Sequence, residues 1–339
     1  MPEEHPPASG PADSAATGPS TSDTPRAPGA AVRVVDGLAG MRDRIVNLYF
    51  AGPTGAAATG DRGWVLVDAG LTGSADRIAA AAAALFGRES RPSAIVLTHG
   101  HFDHVGALRT LAERWDVPVY AHELELPYLT GRSAYPPPDP TVGGGAMARL
   151  AGLYPRGPIH LGARVRTLPA DGAVPGMPGW RWLHTPGHTA GHVSLFRDAD
   201  RTLVAGDAFV TTKQESLSSV LAQRKEIHGP PAYYTPDWDA ARDSVRRLAE
   251  LRPEIAATGH GLPMRGERLR EGLERLARDF DQLARPAHSR YVHTPATADE
   301  RGVVSVPPPV PDRLPKLVAA GAAVALAGWA LSRSRRPRA

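Results

Sequence analysis

The chain has 339 residues, 42% of them apolar and 22% charged, with 39 Lys and Arg against 35 Asp and Glu. That balance fits a globular protein with a sizeable core. The absence of cysteine excludes disulfide frameworks, thiolate nucleophiles and iron–sulfur clusters, so any metal must be held by imidazole and carboxylate. Arg333, Arg335, Arg336 and Arg338 carry the whole +4 excess of the chain, which leaves the remainder close to neutral and gives no support for a phosphate-backbone partner.

Residues 1–31 hold almost nothing that could be buried and are expected to be a disordered tail. Their start lacks a basic stretch followed by an apolar one, so a secretory leader is not expected and a cytoplasmic location is. From Val32, β-rich runs occupy 32–35, 44–50 and 64–67, the last ending in Val67-Asp68-Ala69-Gly70. Ser74 is placed to cap a helix to Phe86, with Ile78, Ala82 and Leu85 on one face and Gly87 to stop it. A buried strand at 94–97 precedes a histidine cluster, and His104 to Trp115 reads as the next helix. His122 is expected to cap a further helix.

Residues 129–160, rich in proline and glycine, read as a long loop of the kind that shapes binding sites. Strands are predicted near 164–168, 180–184, 193–197 and 202–205. A helix then runs from Trp238 to Leu251, and a strand at 254–258 leads into Thr258-Gly259-His260. Strands mixed with helices in both halves predict an α/β or α+β sandwich over residues 32–285, with helices on the outer sheet faces. A proline-rich linker is expected over 286–316, an apolar helix over 317–331 and a basic tail over 332–339. The apolar stretch would span about 23 Å as a helix, short of the ~30 Å hydrocarbon core. Membrane contact through it is favoured, and its mode stays open.

The motif that carries chemistry is Thr98-His99-Gly100-His101-Phe102-Asp103-His104, an H-x-H-x-D-H run between a buried strand and a helix. A rigid strand end presents imidazoles together, as an ion with ligands at ~2.0–2.1 Å requires. Three further pieces follow predicted strands: Gly187-His188, Gly206-Asp207 and Gly259-His260. Singly each reads as a turn; jointly they reverse that reading.

The ordered set Asp68, His99/His101/Asp103/His104, His188, Asp207 and His260 resembles the five-motif signature of the metallo-β-lactamase superfamily. The resemblance covers roughly residues 32–285. It implies an αββα four-layer sandwich of class α+β, with metals at one edge between the sheets. It implies that His99, His101 and His188 hold one divalent ion, that Asp103, His104 and His260 hold a second, and that Asp207 bridges them. Zn2+ is the first expectation, with Mn2+ or Fe2+ as others. Asp68 would orient the site from behind its ligands, and His184 and His192, which flank His188, would play supporting roles.

A water shared by two ions loses a proton near neutrality and attacks the substrate. Asp103 and Asp207 are the expected catalytic carboxylates, with Asp103 expected to orient the hydroxide or shuttle its proton. True β-lactamases of the superfamily lack the bridging aspartate. Glyoxalase II enzymes resemble the chain in their ligands but carry a glycine-cysteine-glycine-basic segment where this chain has Ala208 to Lys213. Quorum-signal lactonases place tyrosine where Val210 stands. The expectation is hydrolysis of a small ester, thioester or lactone. The alternatives are a mononuclear-iron oxidoreductase resembling persulfide dioxygenases and a phosphodiesterase or ribonuclease. Phe209, Lys213, Tyr233 and Tyr234 are the candidate substrate contacts, together with the 129–160 loop.

Overall fold

The computed structural model describes residues 29–53 and 61–310. The expected apolar helix and basic tail lie outside the described residues, as does nearly all of the expected N-terminal tail. Seven strands form the first sheet in sequence order: β1 (Ala31–Val35), β2 (Leu38–Asp43), β3 (Val46–Ala51), β4 (Val65–Val67), β5 (Ala94–Val96), β6 (Val119–Ala121) and β7 (Val165–Thr167). Pairing is antiparallel as far as β4 and parallel from β4 to β7. The second sheet holds β8 (Trp180–His184), β9 (Val193–Arg197), β10 (Thr202–Gly206), β11 (Ile255–Thr258) and β12 (Met264–Arg265), in the order β12-β11-β10-β9-β8.

Alternation along the strands divides the buried side chains into three cores, which makes the domain four layers thick. Leu66, Ile95, Leu48 and Phe50 point outward from the first sheet, toward α1 (Ala75–Phe86), α2 (Phe102–Val105) and α3 (Leu108–Trp115). Their strand neighbours Val65, Val67, Val96 and Tyr49 point inward, where they join Val193, Leu195, Val204 and Ala257 of the second sheet. Phe196, Leu203, Ala205 and Ala256 face the opposite way, toward later helices. Fully burying each such aliphatic side chain contributes about 1.5–3 kcal/mol, so the repeated change of side along each strand fixes the layering.

The remaining helices are α4 (Leu126–Leu129), α5 (Ala146–Arg149), α6 (Leu217–Ala222), α7 (Trp238–Glu250), α8 (Gly266–Arg278) and α9 (Phe280–Leu283). Of these, α7 and α8 cover the second sheet through Trp238, Val245, Leu248, Leu269 and Leu273. The α+β sandwich expected from the sequence is the observed architecture.

Several local expectations change. Ser74 occupies the N-cap position of α1, but its hydroxyl donates to the Asp43 carboxylate rather than accepting from the helix backbone. The helix expected over His104–Trp115 is two pieces, α2 and α3. Between them Gly106 N donates to Gly70 O (2.7 Å) and Ala107 N to Ala69 O (3.2 Å), which ties the break to the loop after β4. The run expected at 44–50 is the second arm of a β2–β3 hairpin whose turn places Arg44 at φ 60°. The 129–160 stretch contains α5 and buries Ala148 and Ala151 against Tyr233 and Tyr234.

The linker expected over 286–316 is corrected for its described part. Residues 286–310 fold back on the domain, with Tyr291 buried and a hairpin of β13 (Thr297–Asp299) and β14 (Gly302–Ser305). The segment is seated by polar bonds rather than by a periodic apolar face. Arg290 N donates to Asp139 Oδ2 (2.6 Å), Tyr291 OH to Pro137 O (2.6 Å) and Val303 N to Ser133 Oγ (3.1 Å).

Candidate metal centre

The strand directions bring the motifs together. Strand β4 is parallel to β5, β10 is parallel to β11, and β8 shares their direction because both it and β10 are antiparallel to β9. Asp68 follows β4, the H-x-H-x-D-H run follows β5, His188 follows β8, Asp207 follows β10 and His260 follows β11. All the polar motifs thus leave the C-terminal ends of strands, at one edge of the sandwich. The two sheets are pinned at that edge. Asn47 Nδ2 donates to Thr258 O (2.9 Å) and Gly261 O (2.6 Å), Tyr49 OH donates to Thr258 O (2.7 Å), and Val193 N donates to Thr98 O (2.9 Å).

At this edge His99, His101, Asp103, His104, His188, Asp207 and His260 are all buried. Three sets offer donor atoms within 4.8 Å of one another: His99, His101 and His188; His99, His104 and Asp207; and Asp103, His104 and His260. Asp207 Oδ2 is the meeting point, 3.1 Å from His260 Nε2, 3.4 Å from His188 Nε2 and 3.6 Å from His104 Nε2. Asp103 Oδ2 lies 3.5 Å from His260 Nε2. Gly259 is required here, because a Cβ would stand 2.0 Å from Asp207 Oδ1.

The groups behind the cluster aim it. Asp68, itself at φ 62°, accepts from Thr98 N and Thr98 Oγ1 (each 2.8 Å) and from His104 Nδ1 (2.8 Å), which turns His104 Nε2 inward. His260 Nδ1 donates to Ile45 O (2.7 Å), leaving its Nε2 for the cluster. His192 accepts the Asp207 N–H at Nε2 (2.9 Å) and donates from Nδ1 to Thr185 O (3.1 Å), so it steadies the Asp207 backbone. His184 is more remote. It donates to Ala190 O (2.8 Å) and stacks on His122 at 4.2 Å, while His122 caps a short turn by accepting Leu124 N–H.

One residue the motifs do not reveal is Glu125, which is fully buried. Its Oε2 accepts from Gly100 N (3.0 Å) and from Tyr135 OH, and its Oε1 accepts from Thr189 Oγ1 (2.7 Å) and Gly191 N (3.0 Å). A single carboxylate therefore joins the loop between His99 and His101 to the loop after His188. In sequence, Glu123-Leu124-Glu125 looks like a solvated helix start, and only burial separates the second glutamate from the first.

The electrostatics suit a cation. Burial, followed by repulsion from neighbouring imidazoles, holds His99 and His101 well below the ordinary histidine range and brings His188 to about 3. Those rings are neutral, as ligation requires. Burial opposes ionisation of Asp207, yet His260 and His104 outweigh it and hold that carboxyl well below the usual range. The fit to an ion is visible in the unpartnered atoms. His99 Nε2, His104 Nε2 and Asp207 Oδ1 are buried without a hydrogen-bond partner. Leaving such atoms unsatisfied costs about 1–3 kcal/mol each, and imidazole nitrogen with carboxylate oxygen is a donor set for divalent transition metals.

Two cavities border the cluster and share His101, His188 and Tyr234. The smaller, on the Asp207 side, is lined by Asp103, Asp207, His260, Phe102, Met147 and Tyr233 among others. Tyr234 stands between them, its ring 4.4 Å from that of His101 and its hydroxyl donating to Pro155 O (3.1 Å). Of the four expected substrate contacts, Tyr233 and Tyr234 line these cavities. Phe209 does not: the chain turns after β10 ends at Gly206, and Phe209 is buried in the core beneath α7 and α8. Lys213 is exposed and lines neither cavity.

The layered fold and the imidazole–carboxylate edge define a class. A sequence model of the metallo-β-lactamase superfamily matches residues 43–260, and the chain belongs to that superfamily. It is a metallo-hydrolase of that kind, similar to the probable metallo-hydrolase YflN of Bacillus subtilis, with 47% identity over 75% of this chain and 95% of the relative. It is also similar to the probable metallo-hydrolase YybB of the same organism, at 30% identity over 58% of this chain and 74% of the relative. Among solved structures, a beta-lactamase domain protein from Burkholderia ambifaria has the same fold, at 22% identity and TM-score 0.53, covering 77% of this chain and 79% of that one. Among the described residues no helix is long and apolar enough to cross a membrane.

Proposed function

We propose that the chain hydrolyses a small ester, thioester or lactone with two divalent ions, zinc in the first instance. His99, His101 and His188 would hold one ion and Asp103, His104 and His260 the other, with Asp207 joining the two. The single observation behind this reading is the shared-corner arrangement. The candidate ligand sets overlap at His99 and at His104, and Asp207 Oδ2 lies within 3.6 Å of three of the imidazoles. An isolated site would not need the Asp103–His104–His260 corner, which weighs against a mononuclear iron enzyme. Ions bound there supply an acidified water and an electrophile for the substrate oxygen.

The chain's own residues do the rest. Asp68 and the Ile45 carbonyl fix which nitrogen of His104 and His260 faces the site. Asp103 is the carboxylate assigned to hold the attacking water's proton and pass it to the leaving group, since its Oδ2 stands at the open side of the cluster beside His260. Phe102, Met147 and Tyr233 wall the smaller cavity and exclude bulk water from it. Nucleic acid is not the expected substrate, because no Lys or Arg lines either cavity.

The test is metal analysis on the full chain beside a panel of esters, thioesters, lactones and phosphodiesters. Two zinc per chain with turnover of an acyl substrate is the expected result. One iron per chain with oxygen uptake, or turnover of phosphodiesters alone, would overturn it.

A further inference from the structure

The larger cavity has a volume of about 310 Å³ and is not needed to hold an ion. It begins at His101 and His188 and runs away from Asp207, between the α4–Pro137 stretch, the first turn of α7 and the 291–298 segment. Its walls are the rings of Tyr128, Tyr135 and Tyr291, prolines, and small side chains including Ala240 and Ala298. The only acidic group among them is Asp237, whose Oδ1 already accepts Ala240 N–H (3.0 Å) as the N-cap of α7. No Lys or Arg lines it. An anionic arm would meet a carboxylate and no counter-charge, whereas an uncharged hydrocarbon arm would meet aromatic and aliphatic surface.

We propose that this cavity is the substrate-arm subsite, and that it takes an uncharged hydrocarbon chain attached to the scissile carbonyl on its acyl or its alcohol side. The inference rests on the acyl-hydrolase reading above and names its substrate class. It makes the C-terminal segment part of the binding site. Tyr291 forms one wall, held by its hydroxyl on Pro137 O (2.6 Å), and Ala296 N donates to Pro236 O (3.1 Å) at the opposite side. The volume lies at the low end of ligand pockets, ~300–1,000 Å³, which suits a short chain rather than a lipid.

The experiment uses the full, metal-loaded chain and two ester series followed by proton release: methyl esters of acids lengthened from acetate to octanoate, and acetates of alcohols lengthened from methanol to heptanol. One series should show kcat/KM rising about fourfold per methylene until the cavity is full, and which series rises says which side of the carbonyl enters. Ala298→Trp should flatten that rise. Ala240→Leu, from a different wall, should shorten the plateau. Flat profiles in both series, an unchanged profile in both variants, or a preference for the monoanionic succinate ester would overturn the proposal.

If no ester, thioester or lactone is turned over, the hydrolase reading fails separately, and the cavity is then judged by calorimetric binding of hexanamide. Binding that weakens at least tenfold in Ala298→Trp supports the subsite. No binding, or equal binding in both proteins, overturns it.

Discussion

The two cavities that meet at His101, His188 and Tyr234 are built in opposite ways. The one beside Asp207 takes its candidate ligands from short polar motifs that follow strand ends, with Asp207, His104 and His260 braced from behind by a histidine, a carboxylate and a carbonyl. The other is made of loops far apart in sequence, with its last wall contributed by residues that follow the whole sandwich. The chemistry therefore rests on rigid elements, and the choice of substrate rests on segments that can change without disturbing them.

The comparison breaks most directly at Asp207. Asp207→Ala should lose bound metal and turnover together, by more than the ~10–100-fold that outlying partners of metal ligands cost. Elemental analysis beside kcat would show whether the two fall in step. Glu125→Gln comes next. Each carboxylate oxygen of Glu125 accepts a backbone N–H, and an amide would point its NH2 at one of them. Metal affinity in a chelator competition should drop roughly 10–100-fold, with the chain-length profile of the larger cavity unaltered. A change in that profile at constant metal affinity would place Glu125 in the wrong cavity.

Tyr291→Phe should act the other way. Losing one hydrogen bond of about 0.5–1.5 kcal/mol should raise KM for the longer substrates several-fold while kcat and metal content hold. The smallest effect concerns neither cavity. Burial disfavours the Asp43 carboxylate, but Ser74, the Leu71 N–H and Arg77 together hold its pKa below the ordinary carboxyl range. A depressed carboxyl stabilises the fold above the unfolded value of about 3.9 and stops doing so as pH falls through the folded value. Asp43→Asn should therefore lower the melting temperature at neutral pH and flatten its decline in acid, read from melts at successive pH values.

The sequence exposes the metal edge because the fold needs particular side chains there. His99, His101, Asp103 and His104 fall within six residues, and each later ligand stands beside a glycine that the packing demands, as Gly259 does against Asp207. The layers were legible because the runs 64–67 and 94–97 are apolar throughout and so need a core on each face, which the structure supplies. Glu125 was hidden because a buried and a solvated glutamate look alike in a polar stretch. Residues 286–310 looked like a linker because hydrogen bonds to Asp139, Pro137 and Ser133, rather than apolar periodicity, seat them. The α2–α3 break was invisible because its cause, the contact of Gly106 with Gly70, is tertiary. Phe209 was misplaced because nearness to a ligand along the chain says nothing about which way the turn after β10 sends a side chain.

The candidate ligands are divided between the two halves of the sandwich: His99, His101, Asp103 and His104 follow the first sheet, and His188, Asp207 and His260 belong to the second. An ion that takes donors from both is a removable cross-link between them, closing a loop of chain much as a covalent staple would. In a protein without cysteine, that clasp is reversible on demand. Stripping it would leave His99 Nε2, His104 Nε2 and Asp207 Oδ1 buried without partners at the seam, so a chelator should lower the stability of this domain as well as its activity.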